Sequence, residues 1–273
     1  MGDRLRVLAV DWSGRVAGER RAIWLAEAVC PNGHAGLGNG PAPVTRLQCG
    51  RNRQEVADHV IELARADPEL AVGFDFSFSL PWWFLAERNL ESADALWAAA
   101  ARDGDTWLAR CEPPFWGRPG RPRPELPDHF RATEADLPAM HGVRAKSTFQ
   151  VGGAGSVGSG SIRGFPMLER LRAAGFRIWP FHDEPRVPVV VEIYPRLFTG
   201  AVVKSRADAR AAYLAEHMPE LREEFRFDAT ASEDAFDALV SVHRMTSHAG
   251  VLASLSTLDD ARTRLEGRVW HPT

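Results

Sequence analysis

Apolar residues occur along the chain in short runs that end in turn-forming or acidic residues, a pattern typical of strands joined by helices and loops. The first run, residues 5–11, ends on Asp11. The runs at residues 22–29 and 43–48 follow turn-like segments, so three consecutive strands are predicted, with the first two forming a hairpin. Asn52 and Glu55 then have the spacing of a helix N-terminus, and apolar residues recur behind them at helical spacing.

The rest of the chain alternates strand and helix patterns. Residues 70–76 predict a fourth strand and residues 187–194 a fifth, preceded by another strand-like run at 176–181. Helices are predicted at four places, namely residues 81–101, a short helix from Met167, 205–217 and 232–249.

One region interrupts this alternation. Residues 82–163 carry, after the predicted helix, a stretch rich in proline and arginine and a second stretch rich in glycine and serine, both typical of loops. We therefore predict a single α/β domain over residues 1–273, with a large insertion at 82–163. Its mixed sheet of five strands is antiparallel on one side and parallel on the other, and helices flank it.

Composition narrows the class of protein. With 273 residues, 45% of them hydrophobic, the chain suffices for a continuous core. Its apolar runs are too short for a membrane span or a signal peptide, so we expect a cytoplasmic protein without a membrane partner. The net charge of -3 excludes binding of nucleic acid through a positive charge of the whole molecule. The three cysteines have no C-x-x-C spacing and indicate neither a disulfide framework nor a thiolate metal site.

Acidic residues stand where apolar patterns predict burial. Asp11 and Asp75 end two predicted strands, Glu192 lies on the last strand, and Asp234 and Asp237 are three residues apart on an otherwise apolar helix. Residues three apart share a helix face, so both of these carboxylates can point at one spot. Converging carboxylates favour Mg²⁺ or Mn²⁺, and two such ions about 3.5–4 Å apart can promote phosphodiester hydrolysis. Taken singly, each acid could instead form a turn or cap a helix.

Six motifs together resemble one known family. They are AVDWSG, VGFDFSFSLP, KSTFQVGGAGSVGSGSIRG, VEIYP, DAFDALVSV and LEGRVWHP, which span most of the chain. In combination they are similar to the family called domain of unknown function 429, regarded as a predicted nuclease of the RNase H-like superfamily. The resemblance implies an RNase H-like fold, nuclease activity and nucleic acid (DNA or RNA) as partner, and the acids also resemble those of Holliday-junction resolvases.

The resemblance also assigns roles to the acids. It implies that Asp11, Asp75, Asp234 and Asp237 hold the metal, and Glu192 joins them as a catalytic candidate at an unusual place for the superfamily. Many members carry a glutamate on the first helix, but spacing selects neither of the two glutamates there. The insertion has no counterpart in a minimal RNase H core and could cover or reshape the site.

Five further residues are candidates for substrate binding. The stretch GGAGSVGSGS could hold a phosphate on backbone N–H groups or be a flexible loop, and neither interpretation is favoured. Residues near this stretch could meet phosphate oxygens, and two serines that each follow an acid by two residues could contact substrate or cap a strand end. They are Lys146, Ser147, Arg163, Ser13 and Ser77.

The Pro- and Arg-rich stretch carries Arg118, Arg121, Arg123 and Arg131 among aromatic residues. It could bind a nucleic-acid backbone, although a solvated surface loop has the same composition.

Three functions remain compatible with the sequence. The first is a metal-dependent nuclease or phosphodiesterase. The second is an ATP-dependent phosphotransferase of the actin or sugar-kinase type, which also has an Asp after its first strand and Gly-rich phosphate loops but usually needs two such sheets. The third is a non-catalytic module that binds nucleic acid or protein.

Overall fold

A mixed sheet of six strands forms the centre of the fold. The computed structural model describes residues 4–31, 41–137, 145–184, 187–256, 258 and 260–272. The strands are β1 (Arg4–Asp11), β2 (Trp24–Pro31), β3 (Val44–Gln48), β4 (Leu70–Phe74), β5 (Arg177–Ile178) and β6 (Val189–Glu192). Their order across the sheet is β3-β2-β1-β4-β6-β5. The β1–β2 and β2–β3 pairs are antiparallel, and the other neighbours are parallel.

The predicted α/β class and the change from antiparallel to parallel pairing are confirmed. The described residues form six strands and not the predicted five, because Arg177 and Ile178 pair with Val189 and Val190 and add a short edge strand. The central parallel strands β1, β4 and β6 bring their carboxyl ends to the same edge of the sheet.

Helices cover both faces of the sheet. In chain order they are α1 (Glu19–Ala22), α2 (Arg53–Ala66), α3 (Trp82–Glu87), α4 (Ala93–Arg110), α5 (Ala132–Asp136), α6 (Gly158–Ala173), α7 (Arg196–Thr199), α8 (Ala207–His217), α9 (Glu223–Ala231), α10 (Glu233–Thr246), α11 (Ala249–Ala253) and α12 (Ala261–Glu266). In the described part of the chain, none of them has the length and apolar character needed to cross a membrane.

Alternation along the strands produces two cores. On β1, Leu8 and Val10 point into a core shared with α2, α4 and α6, whereas Val7 and Ala9 point into a second core against α10. A strand buried on both faces must be apolar at successive positions, which explains the run before Asp11.

Two helix starts follow from their sequences. At α2, the Asn52 side chain accepts a hydrogen bond from the Glu55 N–H and the Glu55 carboxylate accepts one from the Asn52 N–H, both at 2.9 Å. This confirms the predicted capping box. At α10, the Ser232 hydroxyl oxygen accepts a hydrogen bond from the Ala235 N–H at 3.2 Å.

The Gly- and Ser-rich stretch differs from its prediction, because its second half is helical. Helix α6 begins at Gly158, nine residues before the predicted start at Met167. Its first turns pack closely on the chain behind β1 and β4: a Cβ on Gly14 would lie 2.4 Å from the Gly160 nitrogen, and one on Gly164 would lie 2.4 Å from the Phe76 ring. Small residues here allow this close approach, which outweighs the low helix propensity of glycine and serine.

Candidate metal centre

Three of the predicted acids come together at the carboxyl ends of β1 and β4. Asp11 is the last residue of β1 and Asp75 directly follows β4, and the Asp75 N–H donates to the Val10 carbonyl oxygen at 3.0 Å. One carboxylate oxygen each from Asp11, Asp75 and Asp237 lies within 4.8 Å of the other two. We call these three residues the aspartate cluster.

Helix α10 brings Asp237 to the cluster. The helix packs against β1 and β2, with Phe236 and Leu239 in the second core, so its position is fixed by apolar contacts. Asp237 lies on the turn that faces the end of β1 and is 7% exposed. Its Oδ1 atom is buried without a hydrogen-bond partner among the described residues. An unpaired buried carboxylate oxygen is costly, and a bound cation would relieve that cost.

Burial and mutual repulsion favour the protonated forms of the carboxylates in the aspartate cluster. Burial raises the pKa of Asp75 from 3.8 to about 8, with a further contribution from the charge of Asp237. Burial, followed by the charges of Asp237 and Asp75, raises the pKa of Asp11 well above its ordinary value. Without a cation, the cluster therefore holds protons at pH values where ordinary aspartates are ionised. A divalent cation displaces these protons when it binds, so its affinity rises with pH.

We expect the metal-free protein to lose stability as pH rises from about 4 to about 8 through its raised carboxyl pKa values. Folded Asp75 holds a proton with a pKa of about 8 that the unfolded chain releases near 3.8, so the unfolded state is favoured progressively across this interval. The Asp75→Asn variant removes this contribution. The free energy of unfolding of the variant minus that of the wild type should therefore increase by about 2–4 kcal/mol as pH rises across the interval.

Chemical denaturation in EDTA at several pH values measures this difference. Added Mn²⁺ should stabilise the wild type more at about pH 8 than at about pH 5.5, because fewer protons compete. A constant difference between wild type and Asp75→Asn across the interval would contradict the raised pKa of Asp75 in the folded protein.

Two of the predicted acids lie beside the aspartate cluster and not within it. Asp234 is half-buried one turn before Asp237; burial raises its pKa, and the charge of Arg15 lowers it. Glu192 is 3% exposed and its carboxylate is already bonded, accepting from Arg131 Nη2 at 2.5 Å and from the Phe78 N–H at 2.9 Å. Glu192 thus fixes the chain behind Asp75, whereas Asp237 Oδ1 in the aspartate cluster has no hydrogen-bond partner among the described residues.

The aspartate cluster opens into a cavity of about 420 Å³, which is within the range of small-molecule sites. Asp234 and Glu192 line it together with the cluster. Trp12, Phe76 and Tyr194 provide aromatic walls.

The predicted substrate-binding residues divide into two groups. Ser77 and Lys146 line the cavity, and Lys146 is exposed beside Gly155. Ser13, Ser147 and Arg163 lie outside the cavity lining and have bonds within the chain. The Ser13 and Ser147 hydroxyl oxygens accept from nearby N–H groups at 3.2 Å, and Arg163 donates to the Gly14 carbonyl oxygen at 2.6 Å.

The residues behind Asp11 have separate roles. Trp12 lines the cavity, and its Nε1 donates to the Gly160 carbonyl oxygen at 3.0 Å, which ties the end of β1 to the start of α6. Residues 155–157 also line the cavity. The part of the Gly- and Ser-rich stretch that precedes α6 therefore lines the same cavity as the aspartate cluster.

Sequence reasoning missed the role of Lys204 in this region and predicted a different role for Arg131. Lys204 donates a hydrogen bond to Asp237 Oδ2, and burial opposes its charge while Asp237 raises its pKa. Arg131 was considered a nucleic-acid contact, but its side chain is fully buried and bonded to Glu134 and Glu192. The scarcity of lysine, with only Lys146 and Lys204 in the chain, was the one available signal for Lys204.

Comparisons of the chain with protein-family models, with curated proteins and with solved structures found no match. The chemistry of the centre therefore follows from its own donors and charges. Three carboxylates are hard oxygen ligands of the kind that bind Mg²⁺, Mn²⁺ or Ca²⁺, and the unpaired Asp237 Oδ1 fits such a cation.

Proposed function

We propose that this protein is a divalent-metal-dependent phosphodiesterase, and specifically a nuclease, in which Asp11, Asp75 and Asp237 hold Mg²⁺ or Mn²⁺. The observation that carries the proposal is the aspartate cluster, which lines a cavity and in which one carboxylate oxygen of each residue lies within 4.8 Å of the other two. The resemblance of the six sequence motifs to the family called domain of unknown function 429, regarded as a predicted RNase H-like nuclease, supports the same function. When bound, such a cation activates water for attack and stabilises charge on phosphoryl oxygens.

The residues around the aspartate cluster suit a phosphodiester. The Lys146 ammonium group is exposed at the cavity and can pair with a non-bridging oxygen of the phosphodiester, while the nucleophile attacks phosphorus. Trp12, Phe76 and Tyr194 give the cavity aromatic surface against which a base can pack and which limits access of water. In this proposal Asp234, which is half-buried and lines the cavity, would hold a proton or a water molecule beside the metal.

The alternative of an ATP-dependent phosphotransferase of the actin or sugar-kinase type has less support. Proteins of that type usually need two sheets with the nucleotide between them, whereas the described residues form one six-stranded sheet. A non-catalytic binding module would have no need to keep three carboxylates in mutual repulsion, which is costly without a cation.

Hydrolysis of a defined substrate panel tests the proposal. Single-stranded and double-stranded DNA, RNA, a four-way junction and bis(p-nitrophenyl) phosphate are incubated with the protein in Mn²⁺, in Mg²⁺ and in EDTA. We expect cleavage of at least one phosphodiester with either metal and none in EDTA. Cleavage that persists in EDTA, or a metal-loaded protein inactive on the whole panel, would contradict the proposal, and phosphate transfer from ATP would favour the alternative.

A further inference from the structure

Hydrogen bonds hold Lys204 in position beside the aspartate cluster. It lies in the turn between α7 and α8, and its ammonium group donates to Asp237 Oδ2. Its carbonyl oxygen accepts a hydrogen bond from Arg210, a 4% exposed residue that also donates to the Ala229 carbonyl oxygen at 3.2 Å. The main chain at Lys204 is thereby tied to α8 and α9, so the ammonium group is held at the aspartate cluster.

The other acids of the cavity depend less on Lys204. Glu192 is paired with the buried guanidinium of Arg131. Burial has the largest effect on the pKa of Asp234 and raises it, and the charge of Arg15 lowers that pKa more than the charge of Lys204 does. The fully ionised aspartate cluster carries three negative charges, of which Lys204 balances one. The remaining two match one divalent cation.

The two carboxylate oxygens of Asp237 differ in their partners. Lys204 bonds Oδ2, and Oδ1 is the buried oxygen that has no partner among the described residues. In a centre with two metal ions, carboxylates bridge ions about 3.5–4 Å apart. The oxygen of Asp237 that would bind a second ion already accepts from an ammonium group.

We propose that Lys204 is a fixed cation of the centre that stands in place of a second metal ion, so that each chain binds one divalent ion. The proposal rests on the proposed function to the extent that the aspartate cluster binds a divalent cation. It replaces the arrangement of two ions expected from the sequence by one ion and one ammonium group. Lys204 is in this sense a positioning residue, since it acts through Asp237.

The number of Mn²⁺ ions bound per chain tests the proposal without measuring activity. Free Mn²⁺ is followed by electron paramagnetic resonance during titration of the full chain. We expect one bound ion for the wild type, one for Lys204→Arg, which keeps the charge, and two for Lys204→Met. The matched control is Arg206→Met, which removes an equal charge from an exposed residue paired with Asp208 and should bind one ion.

Two ions in the wild type, or a single ion in folded Lys204→Met, would overturn the proposal. The wild-type count decides even where a variant fails to fold. One bound ion without hydrolysis of any phosphodiester would contradict the proposed function and support this inference. Two bound ions with hydrolysis would support the proposed function and contradict this inference. Absence of any bound ion would overturn both.

Discussion

The Asp11→Asn variant is expected to lose metal-dependent hydrolysis by about 10²–10³-fold and to remain folded. Asparagine keeps the size of the side chain but replaces a charged ligand oxygen of the aspartate cluster by a neutral amide oxygen. Asp11 ends a strand whose other residues are fixed by pairing to β2 and β4, so the backbone has no reason to move. The loss should therefore appear in metal affinity and in turnover, measured by Mn²⁺ titration and by hydrolysis of the best substrate of the panel.

The same variant should be more stable than the wild type in EDTA. Burial, then the charges of Asp237 and Asp75, raises the pKa of Asp11, so its ionisation in the folded metal-free protein is unfavourable. A raised folded pKa costs stability as pH rises from the unfolded value through the folded one, and asparagine removes that cost. In Mn²⁺ the order should reverse, because only the wild type gains the full binding energy of the ion. Thermal unfolding at alkaline pH, with EDTA and with Mn²⁺, measures both orders.

Asp67→Asn is the matched control for this variant. Asp67 is 8% exposed, as is Asp11, but it lies at the other end of the sheet, where Arg4 pairs with it at 3.1 Å. We expect Asp67→Asn to destabilise the protein and to bind Mn²⁺ like the wild type. Full hydrolytic activity of Asp11→Asn with the metal requirement intact would exclude Asp11 as a ligand.

Local sequence patterns were sufficient where neighbouring residues decide the structure. The spacing of Asn52 and Glu55 predicts a capping box because both hydrogen bonds close within one turn. Asp11 and Asp75 were each predicted at the end of a strand, and the parallel pairing of β1 with β4 brings both to the same edge of the sheet. The Asp234 and Asp237 spacing predicts a shared helix face, and both residues do line the cavity.

Contacts between distant residues could not be predicted in the same way. Lys204 is 33 residues from Asp237 and lies in a turn with no pattern of its own, so its role depends on how α7 and α8 pack. Glu192 looked like a free acid because its partner Arg131 is 61 residues away in the Pro- and Arg-rich stretch. The early start of α6 has the same origin, since it depends on close packing against the chain behind β1 and β4.

The second large expected effect is a loss of stability when the buried ion pairs of Arg131, near the carboxyl ends of β4 and β6, are removed. The Arg131 side chain is fully buried, and its Nη1 donates to Glu192 Oε2 and to the Glu266 carbonyl oxygen, both at 2.9 Å. Its Nε donates to Glu134 Oε1 at 3.0 Å. Arg131 thereby connects β6, α5 and α12, and Glu192 in turn accepts from the Phe78 N–H behind Asp75.

The Arg131→Met variant is expected to lower the free energy of unfolding by about 3–5 kcal/mol, because it leaves buried carboxylates without a counter-charge. Arg177→Met is the matched control: Arg177 is 2% exposed but donates to the neutral carbonyl oxygens of His182 and Leu255, so about 1–3 kcal/mol is expected. Adding Glu192→Gln to Arg131→Met should restore part of the loss. Urea denaturation at neutral pH in EDTA measures all three, and equal losses for both arginines would show that the buried charges do not dominate this network.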